Sequence, residues 1–237
     1  MHAAALTKPA HYPNQDNFIA DEKLKLFAVF DGMGGYEGGA VAAKLAASVV
    51  WEEILSHTFQ KPMVDLADIL RTTLISAAKA IVDDGAIHKR PDQGTTATIV
   101  KILNSKAVIT NVGDSRCYGL NKSDKLIRLT QDHGILDELL KKGQIPEKIA
   151  VKIDQAKKLE ELEPSELSIF NQRNIVTNAL SQYFDTDNIY FSDVLLKDFK
   201  ILVLTSDGVH DNLTDEEIRT ILLEQKIKKQ INPRSVF

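Results

Sequence analysis

Residues 24–39 have the sequence LKLFAVFDGMGGYEGG, in which an apolar run gives way to a cluster of glycines. Residues 24–30 are rich in strand formers, and Asp31-Gly32 is a turn dipeptide. From Ala40 onward, apolar side chains recur at four-residue spacing, as an amphipathic helix requires. The stretch therefore predicts a strand that stops at Asp31-Gly32, a glycine-rich loop, and a helix that begins at Ala40.

The rest of the chain alternates helices with blocks of short strands. Residues 66–81 repeat apolar side chains at helical spacing, and the capping box Thr214-x-x-Glu217 opens a final helix to about residue 228. Because helices alternate with hairpins and not with single strands, the pattern favours an antiparallel α+β fold, two sheets with helices outside, over a doubly wound parallel sheet. Strands, joined by turn signals typical of antiparallel hairpins, are predicted over residues 95–103, 107–112, 116–120, 126–129, 190–195 and 200–205.

One segment, residues 135–163, has a helical pattern and is heavily charged. Glu and Lys occupy most of its solvent positions, so it is interpreted either as an exposed flap or as a merely solvated helix pair. The chain shows no internal repeat and no linker that would mark a second domain. Residues 1–237 are therefore expected to form a single catalytic-size domain.

Composition excludes several classes of protein. The 237 residues are 43% hydrophobic and 26% charged, which is typical of a globular protein with a sizeable core and not of a disordered chain. The net charge of −4 argues against nucleic acid as a partner, because phosphate-backbone binding needs excess Lys and Arg. No apolar stretch reaches the roughly 20 residues of a membrane span, and the N-terminus lacks a signal pattern. A cytoplasmic protein without a membrane partner is expected, monomeric by default.

The lone cysteine, Cys117, carries no predicted chemistry. One cysteine forms neither an internal disulfide nor a thiolate zinc cage, which fits a reducing compartment. Residue 123 is a serine, so the Cys-x5-Arg context of a thiol phosphatase is also missing. Cys117 is therefore interpreted as a small buried residue of a strand.

Two predicted strands end in the same dipeptide, Asp31-Gly32 and Asp207-Gly208. A strand end holds a carboxylate at the rim of a sheet, and the following glycine lets the backbone turn so that a carbonyl oxygen faces the same point. Mg²⁺ and Mn²⁺ bind a few carboxylate oxygens and keep several waters. The two strand ends therefore predict a site for a hard cation, although Asp-Gly alone is first of all a turn dipeptide.

Six motifs in sequence order strengthen this prediction. Their order and spacing closely resemble the metal-dependent protein phosphatase family, the type-2C serine/threonine phosphatases, and especially its bacterial members. The resemblance runs from about Asn14 to Ile218. It implies a four-layer α-β-β-α sandwich with two antiparallel sheets flanked by helices, and a phosphorylated protein as substrate. The motifs are Asn14-Gln15-Asp16, Asp31-Gly32-Met33-Gly34-Gly35, Gly94-Thr95-Thr96-Ala97, Val112-Gly113-Asp114-Ser115-Arg116, Leu129-Thr130-Gln131-Asp132-His133 and Ser206-Asp207-Gly208-Val209.

The resemblance also implies roles for individual residues. Asp31 would bridge two Mn²⁺ or Mg²⁺ ions, the Gly32 carbonyl would bind one of them, and Asp207 would bind the other. Asp16 would hold metal-bound waters, and Asp114 would face the third ion of bacterial relatives or, alternatively, close a tight hairpin turn. A water bridging two cations about 3.5–4 Å apart loses its proton near neutral pH and can attack phosphorus in line. Asp31 and Asp207 are thus the expected catalytic residues.

The chain also departs from the family pattern. His11 stands where the family usually has a phosphate-binding Arg, with Lys8 as a possible substitute, and Met33 stands where many relatives have a histidine. Arg116 is interpreted as a structural partner of a carboxylate.

The family's closing strand carries an Asp-Asn-x-Thr motif. No such motif follows well after Asp207, and the nearest match, residues 211–214, is interpreted as a helix cap. The domain is therefore expected to lack its last strand.

The same residues argue against several competing functions. A dinucleotide-binding loop would need a glycine where Glu37 stands, and a haloacid-dehalogenase-type phosphatase would need an aspartate where Met33 stands. No Gly-Lys-Ser/Thr sequence forms a P-loop. The alternative that stays open is a non-catalytic, phosphatase-like binding module with an incomplete metal site.

Overall fold

The computed structural model describes residues 2–8, 12–58 and 65–231. Between the elements below lie two short 3₁₀ turns, Leu159–Glu161 and Leu196–Asp198. The strands are β1 (Asp16–Asp21), β2 (Leu26–Met33), β3 (Gly94–Thr95), β4 (Ala97–Leu103), β5 (Lys106–Val112), β6 (Arg116–Asn121), β7 (Leu126–Arg128), β8 (Tyr190–Leu195) and β9 (Phe199–Thr205). The helices are α1 (Tyr36–Thr58), α2 (Leu66–His88), α3 (Ile135–Lys141), α4 (Glu147–Asp154), α5 (Pro164–Phe170), α6 (Asp207–His210) and α7 (Asp215–Ile231).

The strands form two antiparallel sheets. The first has the order β1-β2-β4-β5-β8, with the short β3 also paired to β2, and the second has the order β7-β6-β9. In the first sheet, Asp16 of β1 lies directly opposite Asp31 of β2. Directly opposed residues of an antiparallel pair project to the same face, so this register brings the two carboxylates together.

Strand alternation divides the core into two layers. Leu26, Ala28 and Phe30 of β2 are buried in the cluster that includes α1 and α2. Phe27, which faces the other way, packs into a second cluster that joins the first sheet to Cys117 and Leu204 of the second. This period of two is what a strand covered on both faces requires.

The outer face of the second sheet is covered by α7. Tyr118, adjacent to Cys117 on β6, is buried on this side, where the Asp215 carboxyl at the start of α7 hydrogen-bonds to it. The layers are therefore helix, sheet, sheet, helix, and the predicted α+β sandwich is confirmed. Cys117 is fully buried in β6, as predicted, and burial raises the pKa of its thiol to about 12.

Three predictions along the glycine-rich stretch and the hairpins are wrong. β2 continues through Asp31-Gly32 to Met33, because Gly32 and Met33 pair with the two residues of β3. α1 begins at Tyr36 and not at Ala40, so Gly38 and Gly39 lie in its first turns. β5 and β6 form no hairpin: they belong to different sheets, and the turn between them carries the chain from one sheet to the other.

The glycines at the start of α1 have a packing reason. An ideal Cβ on Gly32 would lie 2.1 Å from the Gly39 carbonyl oxygen, and a Cβ on Gly39 would lie 2.7 Å from the Gly32 carbonyl carbon. Backbone approach this close is possible only without side chains. The helix therefore begins against the strand residue that follows Asp31.

Residues 135–170, called the helical insert below, contain α3, α4 and α5. The segment extends beyond the predicted end at residue 163, because Pro164 occupies the first turn of α5 and Glu163 and Glu166 form a capping box there. The capping box predicted at Thr214 is confirmed: the Thr214 backbone N–H donates to the Glu217 carboxylate at 2.8 Å. No helix in residues 2–8, 12–58 or 65–231 has both the length and the apolar character needed to cross a membrane.

Helix α2 offers a matched test of the packing. Ile81 is fully buried, whereas Ile87 on the same helix is 75% exposed. We expect Ile81→Ala to lower the free energy of unfolding by about 2–5 kcal/mol, through lost apolar transfer and the cavity left behind. Ile87→Ala should change it by about 0.5 kcal/mol or less. Urea unfolding with unchanged slopes measures both, and equal losses at the two positions would contradict the described burial.

Candidate metal centre

Three aspartates from distant parts of the chain meet where β1, β2 and β9 end. Asp16 begins β1, Asp31 lies near the end of β2, and Asp207 is the first residue of α6, two residues after the end of β9. The Asp31 carboxyl is within hydrogen-bonding reach of both Asp207 and Asp16. The Ser206 hydroxyl donates to Asp16 Oδ2 at 3.0 Å and so fixes the first aspartate to the third.

Asp114 approaches the same point from the turn between the two sheets. The Gly113 backbone N–H donates to the ring Nδ1 of His133 at 3.0 Å, and the backbone N–H of His133 donates to the Gly113 carbonyl at 2.9 Å. Burial lowers the pKa of His133 to about 4, so its ring is neutral at pH 7 and Nδ1 can accept the hydrogen bond from the Gly113 N–H. Because β5 and β6 do not pair, the alternative that Asp114 closes a hairpin turn is wrong.

The electrostatics of the four aspartates show mutual repulsion. Burial, and then the charges of Asp207, Asp16 and Asp114, hold the pKa of Asp31 far above its usual range. Burial, with the nearby Asp132 and Asp207 charges, raises the pKa of Asp114 to about 7. Carboxylates crowded in this way need either a proton or a cation between them.

The donor set therefore fits a hard divalent cation: the available ligands are carboxylate and carbonyl oxygens, which Mg²⁺ and Mn²⁺ prefer. The contacts are pairwise, because within the described ranges no group of three or more Asp, Glu, His or Cys side chains is placed to hold one metal ion by itself. Asp31 is the member that touches two others.

The Asp31 backbone is held by the two threonines of the Gly94-Thr95-Thr96 motif. The Asp31 N–H donates to Thr96 Oγ1 at 2.9 Å, and the Asp31 carbonyl accepts the Thr96 N–H at 2.9 Å and the Thr95 hydroxyl at 3.0 Å. Thr96 Oγ1 also lies 2.7 Å from Ser115 Oγ, beside Asp114. Sequence reasoning quoted this motif but assigned no role to Thr96. No local pattern marks Thr96, because its role depends on contacts with Asp31 and Ser115 that only the fold creates.

Other residues named from the sequence fall into three groups. His11 lies outside the described residues, and Lys8 is exposed. Met33 packs near Gly94, where its Cγ would lie 3.5 Å from an added Cβ. Arg116 is buried and bonds to Asp132, with its Nε 2.9 Å from Oδ2, so its prediction as a carboxylate partner is confirmed.

The family model for Protein phosphatase 2C matches residues 4–139, more than half of the chain and three of the four aspartates. The chain belongs to the protein phosphatase 2C family. The resemblance predicted from the six motifs is thereby confirmed.

The chain is also similar to individual phosphatases over most of its length. The chain is 28% identical over 221 residues to protein phosphatase PhpP of Streptococcus pneumoniae strain D39, covering 88% of this chain and 78% of the relative. It is 27% identical over 236 residues to serine/threonine phosphatase stp of Listeria monocytogenes strain EGD-e, covering 95% and 84%.

Solved structures show the same fold. The Mycobacterium tuberculosis serine/threonine phosphatase PstP/Ppp has a TM-score of 0.69 at 22% identity, covering 89% of this chain and 79% of that one. The PstP catalytic domain in complex with two manganese ions has a TM-score of 0.67 at 22% identity, covering 90% and 80%.

Proposed function

We propose that this chain hydrolyses phosphoserine and phosphothreonine in proteins, with divalent cations held by the four aspartates. The observation that carries the proposal is the meeting of Asp16, Asp31 and Asp207, which are up to 191 positions apart in sequence, around one buried carboxyl. Family membership supports the reaction class. The name of the Listeria relative supports serine and threonine as the phosphorylated residues.

Each of these residues is proposed to have its own role in binding cations or substrate. Asp31 faces both neighbouring carboxylates and is proposed to bind two ions, while Asp207 and the Gly32 carbonyl bind one each. Asp16 is fixed by Ser206 and is proposed to orient metal-bound waters. Asp114 is proposed to face a third ion, and His11 to contact the substrate phosphate. Both Mn²⁺ and Mg²⁺ suit oxygen ligands, and the complex of PstP with two manganese ions favours trying Mn²⁺ first.

Divalent cations bound at such a site lower the pKa of water near neutrality and neutralise phosphoryl charge. The chain's own residues then only have to hold the ligands in place. Thr96 and Thr95 fix the Asp31 backbone, and β1 fixes Asp16 opposite it. No covalent phosphoenzyme is required. Cys117 cannot serve as a nucleophile, because it is fully buried and burial raises the pKa of its thiol.

The direct test is phosphate release from one peptide sequence carrying phosphoserine, phosphothreonine or phosphotyrosine in turn, with Mn²⁺ or Mg²⁺ present. We expect release from the first two and little from the third. Binding of the phosphopeptides and of Mn²⁺ without release from any of them would favour the alternative, a phosphatase-like binding module.

We propose further that residues 1–237 act as one catalytic domain, with the helical insert as its flap.

The threonine that holds Asp31 gives a second prediction. Thr96→Val removes a buried hydroxyl bonded to Asp31 and Ser115, and Thr98→Val, two residues further on in β4, removes one bonded to Asn111 at 2.6 Å. Both variants should lose about 1–3 kcal/mol of unfolding free energy. Only Thr96→Val should also weaken Mn²⁺ binding, by roughly tenfold, as loss of a supporting contact does. Equal Mn²⁺ affinity in the two variants, measured by calorimetry, would show that Thr96 does not support the site.

A further inference from the structure

Arg116 is the centre of a buried ion-pair network that the proposed reaction does not use. Its guanidinium lies between two carboxylates: NH2 is 2.8 Å from Asp132 Oδ2 and 2.5 Å from Asp154 Oδ1, and NH1 is 3.3 Å from Asp154 Oδ2. NH1 also donates to the Tyr118 hydroxyl at 3.2 Å. The side chains of Arg116 and Asp132 are 7% and 6% exposed. A two-point contact with Asp154 is the strong, directional form of an Arg–carboxylate pair.

The two carboxylates belong to different parts of the molecule. Asp132 follows β7 of the second sheet, whereas Asp154 is the last residue of α4 in the helical insert. Burial acts to raise the pKa of Asp154, but the Arg116 charge outweighs it, and the pKa lies below its usual value. Arg116 therefore joins the insert to the sheet by a charged contact largely shielded from water.

Among the described residues, the buried apolar side chains of the insert are not continuous with those of the body. The helical insert has its own cluster of buried side chains, separate from the two clusters that hold the sheets and the long helices together. That cluster stabilises α3, α4 and α5 against one another. Its buried members are Leu136, Ala150, Ile153 and Leu162.

The other polar contacts between the described parts of the insert and the body are longer, more exposed, or made to a neutral group, as where the Asp215 backbone N–H donates to Gln155 Oε1 at 2.7 Å. Lys157 pairs with Glu217 through side chains that are 46% and 45% exposed, and Arg128 lies 3.4 Å from Asp137. Exposed pairs contribute little to stability, because water screens them. A buried pair differs, since breaking one partner leaves an uncompensated charge. The Arg116–Asp154 contact is thus the strongest candidate for fixing the insert in place.

The Arg116–Asp154 contact adjoins the candidate metal centre. A small cleft of about 30 Å³ is lined by Asp114 and His210 on the side of the candidate metal centre and by Leu136 and Asp154 of the insert, with Arg116 between them. Arg116 is also two residues from Asp114 on the same chain segment. Movement of the insert would therefore open or close the approach to Asp114.

We propose that Arg116 is a positioning residue that holds the helical insert against the rim of the candidate metal centre. In this way it determines how readily a phosphoprotein binds there. A large substrate must pass the insert, whereas a small phosphate ester need not. This inference rests on the proposed function for its effect on substrates. Its structural half, that the insert is held by this ion pair, does not.

The test uses Asp154→Asn, which keeps the shape and removes the charge, with Glu138→Gln as the control. Glu138 pairs with Lys142 at the end of α3, so that variant removes a carboxylate whose ion pair lies within the insert. Hydrogen exchange is measured by mass spectrometry on the full chain. In Asp154→Asn, amides of residues 135–170 should exchange roughly tenfold faster, with those of β4 and β5 unchanged. Arg116→Lys should give an intermediate rate, because a lysine cannot make the two-point contact.

Steady-state kinetics give the second readout. Asp154→Asn should raise KM for a phosphopeptide by roughly tenfold, while kcat and KM for p-nitrophenyl phosphate stay within about twofold. The inference is overturned if exchange in the insert is unchanged, if insert and sheet strands exchange faster together, or if both substrates are affected alike. Hydrogen exchange needs no turnover, so a chain without phosphatase activity would still confirm or refute the attachment.

Discussion

Replacing Asp31 by asparagine is expected to lower kcat/KM for a phosphopeptide by about a thousandfold or more. Asp31 is the carboxyl that touches both Asp16 and Asp207, so its charge serves every cation proposed for the core of the site. Metal catalysis contributes several kcal/mol to such reactions, and each 1.4 kcal/mol is a factor of ten. Asp114→Asn should cost less, because that residue is proposed to face one peripheral ion.

The control for Asp31→Asn is Asp193→Asn, a β8 variant whose carboxylate makes an exposed pair with Lys106 at 2.9 Å. It should keep wild-type turnover. Misfolding is excluded by thermal unfolding of the metal-free proteins. Asp31→Asn should be at least as stable as wild type, because asparagine is neutral without taking up the proton that the crowded Asp31 carboxyl needs. Wild-type turnover in Asp31→Asn would show that this residue is not the shared ligand.

Removing divalent cations is expected to abolish turnover, with at least a hundredfold loss in excess EDTA and recovery when Mn²⁺ is added back. The reason is that cations held by the aspartates would supply the reactive water and neutralise the phosphoryl charge. Binding should also raise the thermal midpoint, since cations bind the folded state and relieve its repulsion. At a hundred times the dissociation constant, the gain is about 2.7 kcal/mol.

A calcium-loaded sample is the matched control for the chelation experiment. Ca²⁺ also takes oxygen ligands, but with longer bonds and a looser geometry, so it should restore thermal stability better than turnover. Full turnover in excess EDTA, with metal content confirmed to be negligible, would rule out cation-dependent chemistry.

Much of the fold could be predicted from the sequence because its signals are local. Strand β4, helix α2 and the Thr214 capping box follow from turn signals that bound a run of strand formers, from helical spacing and from cap chemistry. The carboxylates Asp31 and Asp207 stood out because each follows an apolar strand and precedes a glycine. Family motifs then placed Asp16 and Asp114 with them, and the structure brings all four together.

What could not be predicted depends on contacts between distant segments. Nothing local separates a hairpin turn at Gly113 from the crossing between two sheets that is found there, because both use glycine at positive φ, here 104°. The same holds for Thr96, whose hydroxyl matters only because Asp31 and Ser115 lie beside it. The early start of α1 reflects the contact of Gly39 with Gly32, which overrides the weak helix propensity of glycine.

The central claim, that these aspartates hold divalent cations, is tested most directly by calorimetric titration of Mn²⁺ into metal-free protein. Wild type and Asp193→Asn should bind Mn²⁺ with the same affinity and stoichiometry, and Asp31→Asn should bind at least about tenfold more weakly or lose sites outright. Mn²⁺ binding by Asp31→Asn that equals wild type in affinity and stoichiometry would contradict the account.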